Sequence, residues 1–212
     1  MSNEEKIIKY FTKNYNKIGD DCAYLSQTKQ LISSDTLVEN IHFDLKYFTP
    51  KNIAHRLFTA NYSDIQSSGG KPKYVLLNLS FPNKNFRFVN KIIKNFHRYC
   101  LKYGIEIIGG DTTASDKIFL SLTIISDAIN KNKIIKRSQA KINDKIYTFS
   151  GIGYSKLGFM NIYKNLKLPK DISALSKKQF LSPKIYTYYD LFKKIKLNSC
   201  MDVSDSLLST LR

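Results

Sequence analysis

Short apolar runs alternate with helix-period segments over most of this chain, and that alternation restricts it to folds that lay helices against a sheet. Residues 30–34 read as a strand that ends at Asp35. Thr49-Pro50 supplies an N-cap and a first-turn proline. The helix that follows has Ile53, Leu57 and Ala60 on one face, and Ser67-Ser68-Gly69-Gly70 marks its end. Residues 74–81 form a strand stopped by Pro82. Val89, Ile92, Ile93, Phe96, Cys100 and Tyr103 then recur at helical spacing until Gly104. Residues 105–108 and 118–125 are further strands. The expectation is a mixed α/β sheet with helices packed on one side.

The pattern restarts near Asp144. Residues 145–150 (KIYTFS) read as a strand, with Gly151, Gly153 and Gly158 beyond it. Ser182-Pro183 is expected to open a helix that turns Ile185, Tyr189, Phe192 and Ile195 inward. The chain thus divides into residues 1–140 and 141–212, with the junction near 137–143. A unit as short as the second has a marginal core by itself and reads as partial.

The composition narrows the class. A hydrophobic fraction of 42% and an aromatic fraction of 13% support a packed core. No apolar run approaches a membrane span, and the start, MSNEEKIIKYF, lacks the order of a signal peptide, so the expected compartment is the cytoplasm. Cys22, Cys100 and Cys200 lie far apart, without zinc or disulfide spacing, and are expected to be reduced and mostly buried. The net charge of +17 invites a nucleic-acid reading. Its lysines are scattered among Asn and Ile, as AT-rich codon usage gives, so neither nucleic acid nor membrane is expected as a partner.

The aspartates carry the chemistry. Asp20 and Asp21 follow Ile18-Gly19. Asp35 closes a strand, Asp111 closes another behind two glycines, and Asp202 and Asp205 share the run Met201-Asp202-Val203-Ser204-Asp205. Strand ends with small neighbours let carboxylates converge and let backbone approach a ligand. Asp64 shares a helical face with Ile53, Leu57 and Ala60, and a carboxylate in an apolar stripe must be hydrogen-bonded, paired or metal-bound. Carboxylates beside Ser and Thr hydroxyls are hard oxygen donors that suit Mg²⁺ shared with phosphates. His42, His55 and His97 show no metal-ligand spacing, and there is no P-loop. A nucleotide enzyme built this way neutralises phosphate mainly with metal.

The segments 18–23 (IGDDCA), 34–39 (SDTLVE) with His42-Phe43, 61–65 (NYSDI), 109–113 (GGDTT) and 201–205 (MDVSD), in this order and spacing, resemble thiamine-monophosphate kinases. The resemblance implies the two-domain fold of the aminoimidazole ribonucleotide synthetase superfamily, with a complete amino-terminal domain and a partial carboxyl-terminal one. It implies a homodimer that pairs its sheets, with ATP, thiamine monophosphate and several Mg²⁺ ions as ligands. Carried over by position, Asp21, Ser33, Ser34, Asp35, Asp64, Asp111, Asp202 and Asp205 match metal-binding residues. Gly110, Asp111, Arg137 and Ser204 match nucleotide contacts, with Tyr103 near the nucleotide, and His42 matches a substrate contact. Ser206 departs from the family's glycine, and residues 65–70 (IQSSGG) depart from its usual run. The family also continues past this chain's last residue with an acidic segment that helps hold thiamine.

The implied reaction moves the ATP γ-phosphoryl group onto the phosphate of thiamine monophosphate. That acceptor is largely anionic at neutral pH, so no general base is required and no side chain is assigned as catalytic. Competing readings are another ATP-using enzyme of the superfamily, an inactive remnant or dimerising module, and a basic nucleic-acid binder. Selenophosphate synthetase would show a reactive Cys near the start before a glycine-rich stretch, which is absent.

Overall fold

The computed structural model describes residues 3–15, 18–130, 134–204 and 206–211. Helix α1 (Asn3–Thr12) precedes strands β1 (Ala23–Leu25) and β2 (Gln30–Val38). Helix α2 (Pro50–Ser67), strand β3 (Gly70–Phe81), helix α3 (Phe86–Tyr103) and strands β4 (Glu106–Gly109), β5 (Thr112–Ala114) and β6 (Phe119–Ala128) follow. Helices α4 (Tyr154–Tyr163), α5 (Lys170–Leu181), α6 (Tyr189–Lys194) and α7 (Leu207–Thr210) make up the rest.

One mixed sheet runs in the order β1-β2-β6-β3-β4, with β5 continuing beside β3. β6 lies antiparallel between β2 and β3, while β4 and β5 run parallel to β3. Alternation along the central strands sends Leu31, Leu37, Val75, Leu77, Leu120, Leu122 and Ile124 to one face, where they form a core with α2 and α3. α2 contributes Ile53, Leu57, Phe58 and Ile65, and α3 contributes Val89, Ile92, Phe96 and Cys100. The opposite face carries Ile32, Ser34, Thr36, Leu76, Asn78, Ser121, Thr123 and Ile125, all half-buried or exposed.

Local signals explain the helix ends. The Thr49 hydroxyl accepts the Asn52 N–H at 3.2 Å while the Asn52 side chain accepts the Thr49 N–H at 3.1 Å, a reciprocal cap ahead of Pro50. α3 ends at Gly104, whose φ of 65° is left-handed.

Three sequence expectations fail. β2 does not end at Asp35 but runs on to Val38, so Asp35 is held inside a ladder opposite Leu122. Residues 145–150 are not a strand: Ile146 is 71% and Tyr147 78% exposed, and a strand pattern without a neighbour to pair with has nothing to hold it extended. The expected helix from Ser182 is only the short α6, while α5, which the sequence reading did not predict, ends just before Ser182.

The residues after α5 lie along the outer side of α2. Asn52 donates to Ser182 Oγ at 2.8 Å, His55 Nε2 meets the Pro183 carbonyl at 2.5 Å, and the Tyr188 N–H donates to Gln66 at 2.8 Å. α2 therefore connects the sheet to the carboxyl-terminal part, and the candidate site lies at its far end.

Candidate active site

Four aspartates from distant parts of the sequence gather at the carboxyl end of α2. Asp64 and Ser67 come from that helix, Asp35 and Ser33 from the helix-facing side of β2, Asp21 from the segment before β1, and Asp202 from the loop before α7. The Ser33 hydroxyl donates to Asp64 Oδ2 at 2.5 Å. The Ser67 hydroxyl donates to Asp21 Oδ2 at 2.5 Å, and the Ser63 hydroxyl to Asp202 Oδ2 at 3.1 Å. The Asp202 N–H points at Asp21 Oδ2, 3.4 Å away. Asn61, fully buried, accepts the Asp35 N–H at 3.2 Å and so ties α2 to β2 at this level.

Arg137 bridges the group. Its guanidinium pairs with Asp21 and lies 3.9 Å from Asp20, while its backbone N–H donates to Asp20 Oδ1 at 3.1 Å. The Ser199 hydroxyl donates to the Arg137 carbonyl at 2.7 Å, which brings the 199–202 loop to the same place.

The electrostatics are those of crowded carboxylates. Burial pushes Asp64 up to about 8; the Ser33 hydrogen bond opposes this, and Asp202, Asp35 and Asp21 add to it. Burial and then Asp21 push Asp202 up to about 6, while Ser63 and Arg137 pull it down. Burial also raises Asp35, against the pull of His42. Each of these acids acts electrostatically on its neighbours, so the site favours either protons or cations.

Such hard oxygen donors fit Mg²⁺. Among the described residues no three acidic, His or Cys side chains close on a single ion. The arrangement suits ions that keep water and share phosphate oxygens, rather than a preformed cage.

His42 sits beside this group on a tight turn. Asn40 takes a left-handed φ of 65°, the His42 N–H donates to the Val38 carbonyl at 2.9 Å, and the Val38 N–H donates to His42 Nδ1 at 2.9 Å. The ring is exposed. Desolvation and then the charge of Arg56 lower its pKa, against Asp35. The neutral ring with Nδ1 accepting carries its proton on Nε2.

Other expected residues lie elsewhere. Ser34 turns its hydroxyl to the opposite face of the sheet, 3.0 Å from Thr123 Oγ1, so its side chain does not share a face with Asp35. Asp111 is exposed between β4 and β5, where its carboxylate accepts the Thr112 N–H at 2.8 Å and its own N–H donates to Asn78 at 2.9 Å. Neither bond links it to the four clustered acids. Gly110 packs so tightly on the Leu77 backbone that a Cβ would run into that carbonyl. Tyr103 packs 5.0 Å from Phe58 and 5.2 Å from Tyr62 in an aromatic cluster. Ser204 is exposed, and Asp205 lies outside the described residues.

Asn61 and Ser63, which lie in the 61–65 motif, and Ser67, which marks the helix end, carry no site role in the sequence analysis. Their signal is a turn of polar residues around Asp64 that interrupts the apolar stripe of α2.

The family described as AIR synthase related protein, N-terminal domain, matches residues 19–127. Thiamine-monophosphate kinase of Buchnera aphidicola (subspecies Schizaphis graminum) is 34% identical over 99% of this chain and 68% of its own length. The same-named protein of Leptospira interrogans is 32% identical over 89% of this chain and 62% of its own. The chain thus spans about two thirds of the length of these relatives. A solved structure of "AaThiL complexed with AMPPCP and TMP" superposes over 100% of this chain and 70% of its own, with a TM-score of 0.83 and 26% identity. The fold, the clustered acids and these likenesses together place the chain in the thiamine-monophosphate kinase family.

Proposed function

We propose that this chain binds ATP and thiamine monophosphate and takes part in transferring the γ-phosphoryl group to thiamine monophosphate, giving thiamine diphosphate. The observation that carries this reading is the meeting of Asp21, Asp35, Asp64 and Asp202 around the Ser33, Ser63 and Ser67 hydroxyls. The relatives' name and the ligands of the solved neighbour point the same way.

The chemical problem is the approach of two polyanions. Asp21, Asp35, Asp64 and Asp202, with Ser33, would hold Mg²⁺. When bound, these ions supply charge neutralisation and in-line alignment of acceptor and donor phosphates. Arg137 adds a cation at the rim, and the exposed Nε2–H of His42 adds a donor for the substrate. Gly110, Asp111, Ser204 and Tyr103 are assigned to the nucleotide by their positions in the family's motifs. The site then lies between a unit of residues 1–140 and a partial unit of residues 141–212. Two copies pair through the open face of the sheet.

Purified protein incubated with ATP, Mg²⁺ and thiamine monophosphate tests this by chromatography of thiamine diphosphate. Product that vanishes in Asp64→Asn and on chelation is the expected result. Absence of both product and thiamine monophosphate binding in the wild-type chain would overturn the reading.

A further inference from the structure

Arg56 bonds two carbonyl oxygens and, among the described residues, pairs with no carboxylate. Its guanidinium donates to the carbonyl of His42 and, at 3.4 Å, to that of Phe180. Its central carbon lies 5.0 Å from the ring centroids of both Phe48 and Phe180, and those rings pack edge-to-face 5.6 Å apart, so the guanidinium caps an aromatic pair. Stripping water from a guanidinium is costly, and desolvation lowers its pKa. The return is geometric. The Phe180 carbonyl belongs to the last turn of α5, where a cation is favoured, and the His42 carbonyl belongs to the turn that presents the imidazole.

That turn is otherwise fixed from the sheet side. Asn40 N–H donates to the Phe43 carbonyl at 2.7 Å, and Glu39 closes the Ile118 backbone on both sides. These contacts hold residues 38–43 to β2 and β6. The Arg56 fork ties the His42 carbonyl to α2 and α5.

We propose that Arg56 is a positioning residue for His42: it fastens the turn carrying the imidazole to α2 and to the carboxyl end of α5, so that docking of α5 sets how Nε2–H meets thiamine monophosphate. The link to substrate rests on the function proposed above. The link to ring geometry does not.

Histidine-selective ¹⁵N labelling of the full chain tests it, because the sequence holds only three histidines. At about pH 8, above the usual imidazole pKa, the ¹⁵N shifts of His42 report which nitrogen carries the proton. The wild type is expected to show an unprotonated Nδ1 and a protonated Nε2. In Arg56→Met both shifts move toward averaged values as the ring frees itself. Arg56→Lys, which keeps the charge and loses the fork, falls between. Phe180→Leu, which leaves Arg56 in place and removes one of the two rings it packs on, shifts the ring in the same direction. The dissociation constant for thiamine monophosphate rises by about tenfold in Arg56→Met, and that for an ATP analogue stays as it was.

A folded Arg56→Met chain with wild-type His42 shifts would overturn the proposal. Should that variant fail to fold, unchanged His42 shifts in Arg56→Lys would overturn it equally. A wild-type chain that binds no thiamine monophosphate strikes the proposed function instead, and the ring shifts still decide the role of Arg56.

Discussion

Asp64 shows how a single side chain can oppose folding until it finds a cation. Its carboxyl titrates near 8 in the folded protein and near 4 in an unfolded chain, so between those values the native state holds a proton that the unfolded state has released. Metal-free stability must therefore fall as pH rises through that window. Asp202, raised to about 6, adds to the lower half of it. Calorimetry without metal should show the melting temperature dropping from weakly acidic to weakly alkaline pH. Asp64→Asn, which cannot ionise, should flatten that slope, and Mg²⁺ should flatten it in the wild type. An identical slope in Asp64→Asn would remove Asp64 as its source. Gly110 makes the opposite kind of demand. Its φ of 149° and its contact with the Leu77 backbone leave no room for a methyl group. Gly110→Ala should cost about 1–3 kcal/mol in urea unfolding as β3 and the link between β4 and β5 are forced apart.

At the scale of elements, legibility followed locality. Thr49, Pro50 and Gly104 act within one turn of helix, and their signals predict where α2 begins and α3 ends. Thr49→Ala should lower stability by about 1 kcal/mol through loss of the cap, measured by chemical unfolding. Of the acids marked in the sequence by small neighbours or an interrupted stripe, Asp21, Asp35, Asp64 and Asp202 come together, while Asp111, with the same signal, bonds only to Thr112 and Asn78. The distribution of side chains between the two sheet faces was not legible. Reading Asp35 as the end of a strand hid the alternation that puts Ser33 beside Asp64 and Ser34 beside Thr123. Arg56 drew no expectation from the sequence, since nothing local to residue 56 announces Phe180 as a neighbour. Residues 145–150 failed for the converse reason: strand propensity is local, while a strand needs a pairing edge.

At the scale of the whole molecule, the two faces of the sheet have unequal fates. α2 and α3 seal one of them, and the other presents Ile32, Leu76, Ile125 and a row of hydroxyls from Ser34, Thr36, Ser121 and Thr123. Ser34 pairs with Thr123 and Thr36 with Ser121, each at 3.0 Å, so the polar groups on this face are partly satisfied within it. Strands spaced about 4.8 Å apart and rising about 3.3 Å per residue give the three central strands on the order of 500 Å² of flat area before side-chain relief is counted. Stable complexes bury about 800 Å² of accessible surface per partner, so the face is of the right order to pair with a second copy. Thr123 sits at its middle, flanked by Ser34 on β2 and Leu76 on β3. Arginine there would bring two like charges together across a two-fold axis, with no carboxylate among the flanking residues. Sedimentation velocity should therefore show a dimer for the wild type and a monomer for Thr123→Arg, with unchanged circular dichroism. A wild-type chain that sediments as a monomer at about 100 μM, far above the dissociation constants of stable dimers, would show that this face does not pair with a second copy.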